Sequence, residues 1–241
     1  MLHVPMTTYF AATFGANGAG GAINCQEGPV VIFWSPTRLL VNAAVQGGAI
    51  YVGPSSTLRF QAGGYLHGNS ASQQGGALCL APGASLSALD IEIDSNTVQQ
   101  FAGGGISAGN GSYVLLSHSV VRNNTVGIGS GGGIYGTGST LFIRNDSTVT
   151  NNSAGSDGAA RNRARIAIVD STIRKNTAPG LLLNGGTEAV VQNARLEHHF
   201  GTALKLMETA HAAVCEQPTL SSPYPSPRLG GLILAIDWVS A

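Results

Sequence analysis

Four residues recur at one offset: Asp90, His118, Asp146 and Asp170 each stand six positions before an asparagine, namely Asn96, Asn124, Asn152 and Asn176. Carboxylates and an imidazole in one column are groups that move protons. If successive coils of a repeating fold each contribute one member, neighbours lie about 5 Å apart and alternate members about 10 Å. Retaining glycosidases hold their carboxyl groups about 5–5.5 Å apart and inverting ones about 6.5–9.5 Å, so Asp146 with Asp170, or Asp90 with Asp146, is the catalytic pair to consider. The run Asp90-Ile91-Glu92-Ile93-Asp94 extends the acidic row. Its oxygens suit Ca²⁺; beyond that, no cofactor and no metal site is expected. Alternating acidic and apolar residues are also what a half-buried strand shows, so a solvated face is the competing expectation. The column is expected on strands and facing outward, an odd number of residues from the inward Ile93, Val121, Val149 and Ile173.

Other residue sets carry binding rather than reaction chemistry. Gln73, Gln74, Gln99, Gln100 and Phe101 fall in a segment of variable length, expected as a ridge of loops where ligands are met. Arg161, Arg163 and Arg165, with Arg174 and Lys175 nearby, form a basic cluster suited to an acidic glycan or phosphate. Two positions before the asparagines run His67, Asp94, Arg122, Thr150 and Arg174, a mixed-sign row expected to neutralise itself. Ser119, Ser147 and Ser171 are expected inward as a hydroxyl ladder, so they supply no Ser-His-Asp triad. The Gly-Gly pairs lack the Lys-Ser/Thr of a phosphate loop.

The elements that position these residues follow from a repeat. Ile23, Ile50, Leu78, Ile106 and Ile134 each follow a Gly-rich triplet, at an interval that stays the same to within one position. Asn42, Asn69, Asn96, Asn124, Asn152 and Asn176 keep step, each three positions after an apolar residue, and are expected to form a structural ladder. Such a period denotes stacked coils. Short Ile-, Val- and Leu-rich stretches broken by Gly, Asn and Ser give strands of about four or five residues. Stacked in register they form a single-stranded, right-handed parallel β-helix, all-β, of about seven or eight coils. From each Gly-Gly apolar residue to the next Asn, as from Ile23 to Asn42 or Ile106 to Asn124, the length hardly changes, which marks a rigid wall; from Asn onward it varies, which marks a loop. Asn is expected to take the left-handed turn itself and to bond along the stack. Residues 1–13 read as an irregular start or partial coil, 14–206 as the β-helix, and 207–241 as a Pro-rich tail with a short apolar end.

Gly-Gly-Ala-Ile at Gly20 to Ile23 and Gly47 to Ile50, with Phe-x-x-Asn at Phe14 to Asn17 and aliphatic versions after it, resembles the repeats of polymorphic outer-membrane proteins. More broadly the chain resembles right-handed β-helices of the pectin-lyase-like superfamily over residues 14–206. The resemblance implies extracellular or cell-surface placement and adhesion, or carbohydrate cleavage as in part of the superfamily.

With 34 Gly, 43% hydrophobic residues and a regular period, a packed core is expected rather than collagen or disorder. A formal net charge of 0 gives no global field toward nucleic acid, which is not expected as a partner. No run of about 20 apolar residues spans a membrane, and no secretory signal is visible. The pattern already running by Phe14 suggests a fragment beginning mid-coil. Cys25, Cys79 and Cys215 have no framework spacing. The function expected is a non-enzymatic adhesion or glycan-binding β-helix with a polysaccharide or cell-surface glycan as partner. The alternatives are a polysaccharide lyase or glycoside hydrolase acting on the outer face, and a structural fragment of a larger surface protein. Oligomeric state is left open.

Overall fold

The computed structural model describes residues 18–155, 165–177 and 188–197 in full, and in addition the strands Leu2–Val4, Thr8–Ala11, Leu181–Leu183, Leu204–Leu206, His211–Cys215 and Thr219–Ser221 as backbone. Every strand pairing is parallel, and partners are one coil apart in sequence, as a solenoid requires. One coil reads Ile50–Val52, Thr57–Phe60, Gly64–His67 and Ser70–Gln74. These four strands belong to four sheets, here numbered I to IV in that order. Sheets II and III stack nine strands each and sheets I and IV five. Complete four-strand coils run from Ile23–Cys25 to Ser153–Ala154, and the fully described residues make about six turns, slightly fewer than the seven or eight expected for the whole chain. Pairing in sheets II and III reaches Leu2–Val4 and Thr8–Ala11 at one end and His211–Cys215 and Thr219–Ser221 at the other. Among the described residues there is no helix, hence none long and apolar enough to cross a membrane.

The repeat works because equivalent residues meet. Ile23, Ile50, Leu78, Ile106 and Ile134 pair in line down sheet I. On sheet III the inward column is Leu39, Leu66, Ile93, Val121, Val149, Ile173 and Leu196, all buried. Phe33 and Phe60 fill the core between their coils by stacking, centroids 4.9 Å apart. Burying aliphatic side chains in columns removes each from water on both sides, about 1.5–3 kcal/mol per residue before entropy is counted.

The asparagines form the ladder, by a different division of labour from the one expected. The left-handed backbone belongs to the residue before each: Val41, Gly68, Ser95, Asn123, Asn151 and Lys175, with φ from 53 to 65°. The Asn that follows points inward. Asn96 Oδ1 accepts from the backbone N–H and the Nδ2 of Asn69, both at 2.9 Å, while Asn96 Nδ2 donates to Leu66 O and Asn124 Oδ1. Between Asn152 and Asn176 the coil shortens to 24 residues, yet the same two bonds close at 2.8 and 3.1 Å. The missing residues are therefore taken up outside the ladder corner.

The two glycines of each pair answer different demands. Gly47 turns the chain into sheet I at φ 64°, and Gly48 leaves room for the next coil: a Cβ there would stand 2.2 Å from Gly76 O.

The segment expected as variable loops is a strand in each complete coil. Ala43–Gln46, Ser70–Gln74, Thr97–Ala102, Thr125–Ser130 and Ser153–Ala154 pair as sheet IV. The growing Asn-to-apolar distance is absorbed as extra strand residues, with register shifts between Ala71 and Gln74 against both neighbours. Inserted residues bulge outward because the inward column Ala71, Val98 and Val126 stays packed.

Candidate functional site

On the outer face of sheet III, residues from three successive coils converge on one carboxylate. Strand alternation puts Tyr65 and His67 outward from Gly64–His67, Glu92 and Asp94 from Ile91–Asp94, and Arg122 from Val120–Arg122. The register lays Tyr65 beside Glu92, and His67 beside Asp94 beside Arg122. Asp94 Oδ2 lies 3.0 Å from His67 Nδ1 and accepts from Tyr65 OH at 3.4 Å. Asp94 Oδ1 accepts from Asn123 Nδ2 at 2.8 Å and Ser95 Oγ at 3.1 Å. Arg122 Nε donates to Glu92 Oε1 at 2.8 Å, and its NH2 also lies 3.6 Å from Asp94 Oδ2.

Tyr65 stacks on the His67 ring with centroids 5.2 Å apart. This packing and the neighbouring side chains leave the Asp94 side chain 7% exposed although it stands on the outward face. Burial alone pushes the Asp94 carboxyl up. Donation from Asn123 and Ser95, the Arg122 charge and the His67 contact outweigh it, and the group sits below the usual carboxylate range. Burial and the adjacent Asp94 charge raise the Tyr65 phenol, and the Glu92 hydrogen bond raises the Arg122 guanidinium. Farther down the same column Thr150 Oγ1 is buried without a partner. An ionised Asp94 accepts from His67 when Nδ1 carries a proton, and this contact orients the imidazole ring.

The expected catalytic column is in register but not on strands. Asp90, His118, Asp146 and Asp170 occupy the corner between sheets II and III in left-handed conformation, φ 47 to 58°, with Gly63 and Asn193 in the equivalent positions before and after. Their side chains are exposed because the corner turns them out; Asp, Asn and Gly are the residues that accept this backbone. Asp170 accepts from Asn193 Nδ2 at 2.7 Å. The acidic run Asp90, Glu92 and Asp94 is thus divided between a corner, the Arg122 pair and the buried network. Among the described residues no three His, Cys, Asp or Glu side chains are grouped to hold a metal. Ser119, Ser147 and Ser171 are buried as expected, and each donates to a carbonyl of its own corner; the N–H of Ile91 reaches Ser119 Oγ and that of Ser119 reaches Ser147 Oγ.

Of the basic residues expected to cluster, the described Arg165 and Arg174 stand on different sheets. Arg165 opens a sheet II strand and pairs with Glu188 at 3.0 Å, whereas Arg174 closes a sheet III strand beyond the Asp170 corner. Arg161 and Arg163 lie outside the described residues.

Gln73 and Gln74 stand on one strand of sheet IV, and Gln99, Gln100 and Phe101 on the next. Gln46 Nε2 donates to Gln73 Oε1 at 3.4 Å, and Gln74 turns toward Ser107. Gln99, Gln100 and Phe101 are exposed, and Gln100 and Phe101 pair with Ile128 and Gly129 of the next coil. Phe101 sits at φ 73°, a conformation bulky side chains rarely adopt, and is 57% exposed; Ile128 is 74% exposed.

Two groupings are not spelled out by the repeat motifs. Tyr65 joins the network because it stands one coil before Glu92, a signal present in the text of the repeat. Tyr113 and Phe142 on sheet II, centroids 5.6 Å apart, stand between two shallow depressions of about 330 and 450 Å³, the first lined by Thr57, Arg59, Gln61 and Ser87, the second by Arg165, Ala167 and Val190. Their diagonal placement on adjacent coils carries no equal spacing to find.

Residues 44–217 match the family described as a right handed beta helix region. The chain belongs to the right-handed β-helix family. The right hand of the solenoid follows from that membership, with which the pectin-lyase-like superfamily is consistent. No curated protein and no solved structure matches this β-helix.

Proposed function

We propose that this β-helix is a non-enzymatic glycan-binding module, displayed outside the cell or at its surface, which meets its ligand on sheet IV. The observation that carries the reading is Phe101. A left-handed backbone at a bulky residue costs about 1–3 kcal/mol, and such strain concentrates at functional sites. Here it holds an aromatic ring out in water, following Gln99 and Gln100 on its own strand and one strand from exposed Ile128, where it adds nothing to the core. Rings and amides together match a sugar: its C–H face stacks on the aromatic and its hydroxyls meet the amides. Glycan-array binding by the full chain tests this, with Gln99, Gln100 and Phe101 replaced in turn. Binding weakened by each replacement supports the reading, and an empty array with intact fold overturns it.

A second reading, catalysis on the outer face, is favoured by the Asp94–His67 contact. A buried carboxylate beside a partly exposed imidazole is an arrangement that a general base can use, which supports looking for this activity on sheet III rather than at the Asp90 corner. Polysaccharide cleavage abolished by His67→Gln and unaffected by Asp146→Asn would support it; unchanged cleavage in His67→Gln would end it.

A further inference from the structure

Taking sheet IV as the glycan face, we infer that the ligand is a neutral polysaccharide lying along the solenoid axis. The five strands of this sheet read Ala-Ala-Val-Gln, Ser-Ala-Ser-Gln-Gln, Thr-Val-Gln-Gln-Phe-Ala, Thr-Val-Gly-Ile-Gly-Ser and Ser-Ala, without one charged residue. Sheet III, one corner away, has Arg38, Glu92, Asp94, Arg122, Arg174, Arg195 and Glu197 in its strands. The segregation separates two kinds of partner. A polymer of uronic acids or sulfated sugars is held through charge-assisted bonds from Arg or Lys, roughly twice as strong as neutral ones, and sheet IV offers none. A glutamine amide has donors and an acceptor, as a sugar hydroxyl does, so Gln73, Gln99 and Gln100 recognise hydroxyls without selecting for charge.

The direction follows from the backbone. Outside the bulge between Ala71 and Gln74, strand N–H and C=O groups pair with neighbouring coils, so over most of the sheet a ligand meets side chains. Those side chains repeat from coil to coil at ~4.8 Å, as the Gln46–Gln73 contact illustrates, and five strands extend ~19 Å along the axis. Phe101 and Ile128 stand on adjacent coils midway along this track. An extended chain of several sugars covers it; a single sugar covers Phe101 alone.

The test titrates the full chain with xylan, mannan and β-glucan as neutral probes and with polygalacturonate, alginate and heparin as anionic ones, at low and high salt. Expected is binding to a neutral polymer that salt hardly changes, because no ion pair is screened. It falls roughly tenfold or more in Phe101→Ala and in Ile128→Lys, and oligosaccharides too short to span the track bind roughly tenfold more weakly than long ones. Thermal unfolding of each variant confirms the fold, and Gln100→Ala replaces any variant that fails it. Binding confined to anionic polymers, abolished by salt or by Arg122→Ala, overturns the neutral class while leaving glycan binding standing. Binding to no polymer overturns both. A dimer in light scattering that Phe101→Ala dissociates, without polymer binding, assigns sheet IV to a second copy of the chain and overturns both as well.

Discussion

His67 Nδ1 stands 3.0 Å from Asp94 Oδ2 across one turn of the solenoid, and the carboxylate it meets is almost removed from water. Three further donors, from Tyr65, Asn123 and Ser95, close around the same group. An outward-facing aspartate has thereby become an interior one.

That environment sets a pH dependence. Because the folded-state pKa of Asp94 is lowered, its contribution to stability is complete above the unfolded value of about 3.9 and is lost as pH falls through the lower folded value. Asp94→Asn is expected to lower stability at neutral pH by about 1.5–3 kcal/mol and to flatten the acid limb of the stability curve below about pH 4. Denaturant titrations of both proteins from neutral pH into acid measure this. Parallel curves would show that Asp94 is not the group responsible.

The ladder predicts a contrast between the two positions of its corner. Asn96→Ala strips two donors of Asn69 of their acceptor and frees Leu66 O, all buried, so a loss of at least about 3 kcal/mol is expected. Asn151 occupies the exposed left-handed position before its ladder residue, and Asn151→Gly should leave stability within about 0.5 kcal/mol. Equal effects from the two changes would contradict the division of labour at this corner.

Phe101→Gly separates strain from function. Glycine adopts φ 73° freely, so the variant should be more stable by about 1 kcal/mol while binding glycan more weakly. A calorimetric unfolding midpoint that drops instead would mean the Phe101 ring supports the fold.

Burial pushes the Cys25 thiol to about 11 and the Cys79 thiol to about 12. Neither forms appreciable thiolate at neutral pH, so both should resist alkylation in the native protein and react once it unfolds. Peptide mass spectrometry after iodoacetamide treatment, with and without denaturant, reads the two sites separately. Prompt native labelling of Cys79 would place it on a mobile surface.

The solenoid was legible in the order of residues alone. Equivalent residues of successive coils stack on one another, so the inward column from Leu66 through Ile93, Val121 and Val149 and the ladder from Asn42 to Asn176 had to keep one period, with a single shortened coil between Asn152 and Asn176. Any slip would have buried a polar group or broken a shared amide bond. The outer face carries no such constraint, and there the outcome waited on the folded chain. Asp90 and its column are spelled as a strand residue would be, and only the turn between sheets II and III makes them corner residues. The same corner separates Arg165 from Arg174, close in the text and on different sheets. The stretch Thr97–Ala102 reads as a loop because its bulge breaks the strand alternation; its backbone pairs all the same with the coils on either side. Asp94 meets Tyr65, His67, Arg122 and Asn123 because stacking at ~4.8 Å brings together residues one coil apart, and which side chains close over a carboxylate depends on packing that no period records.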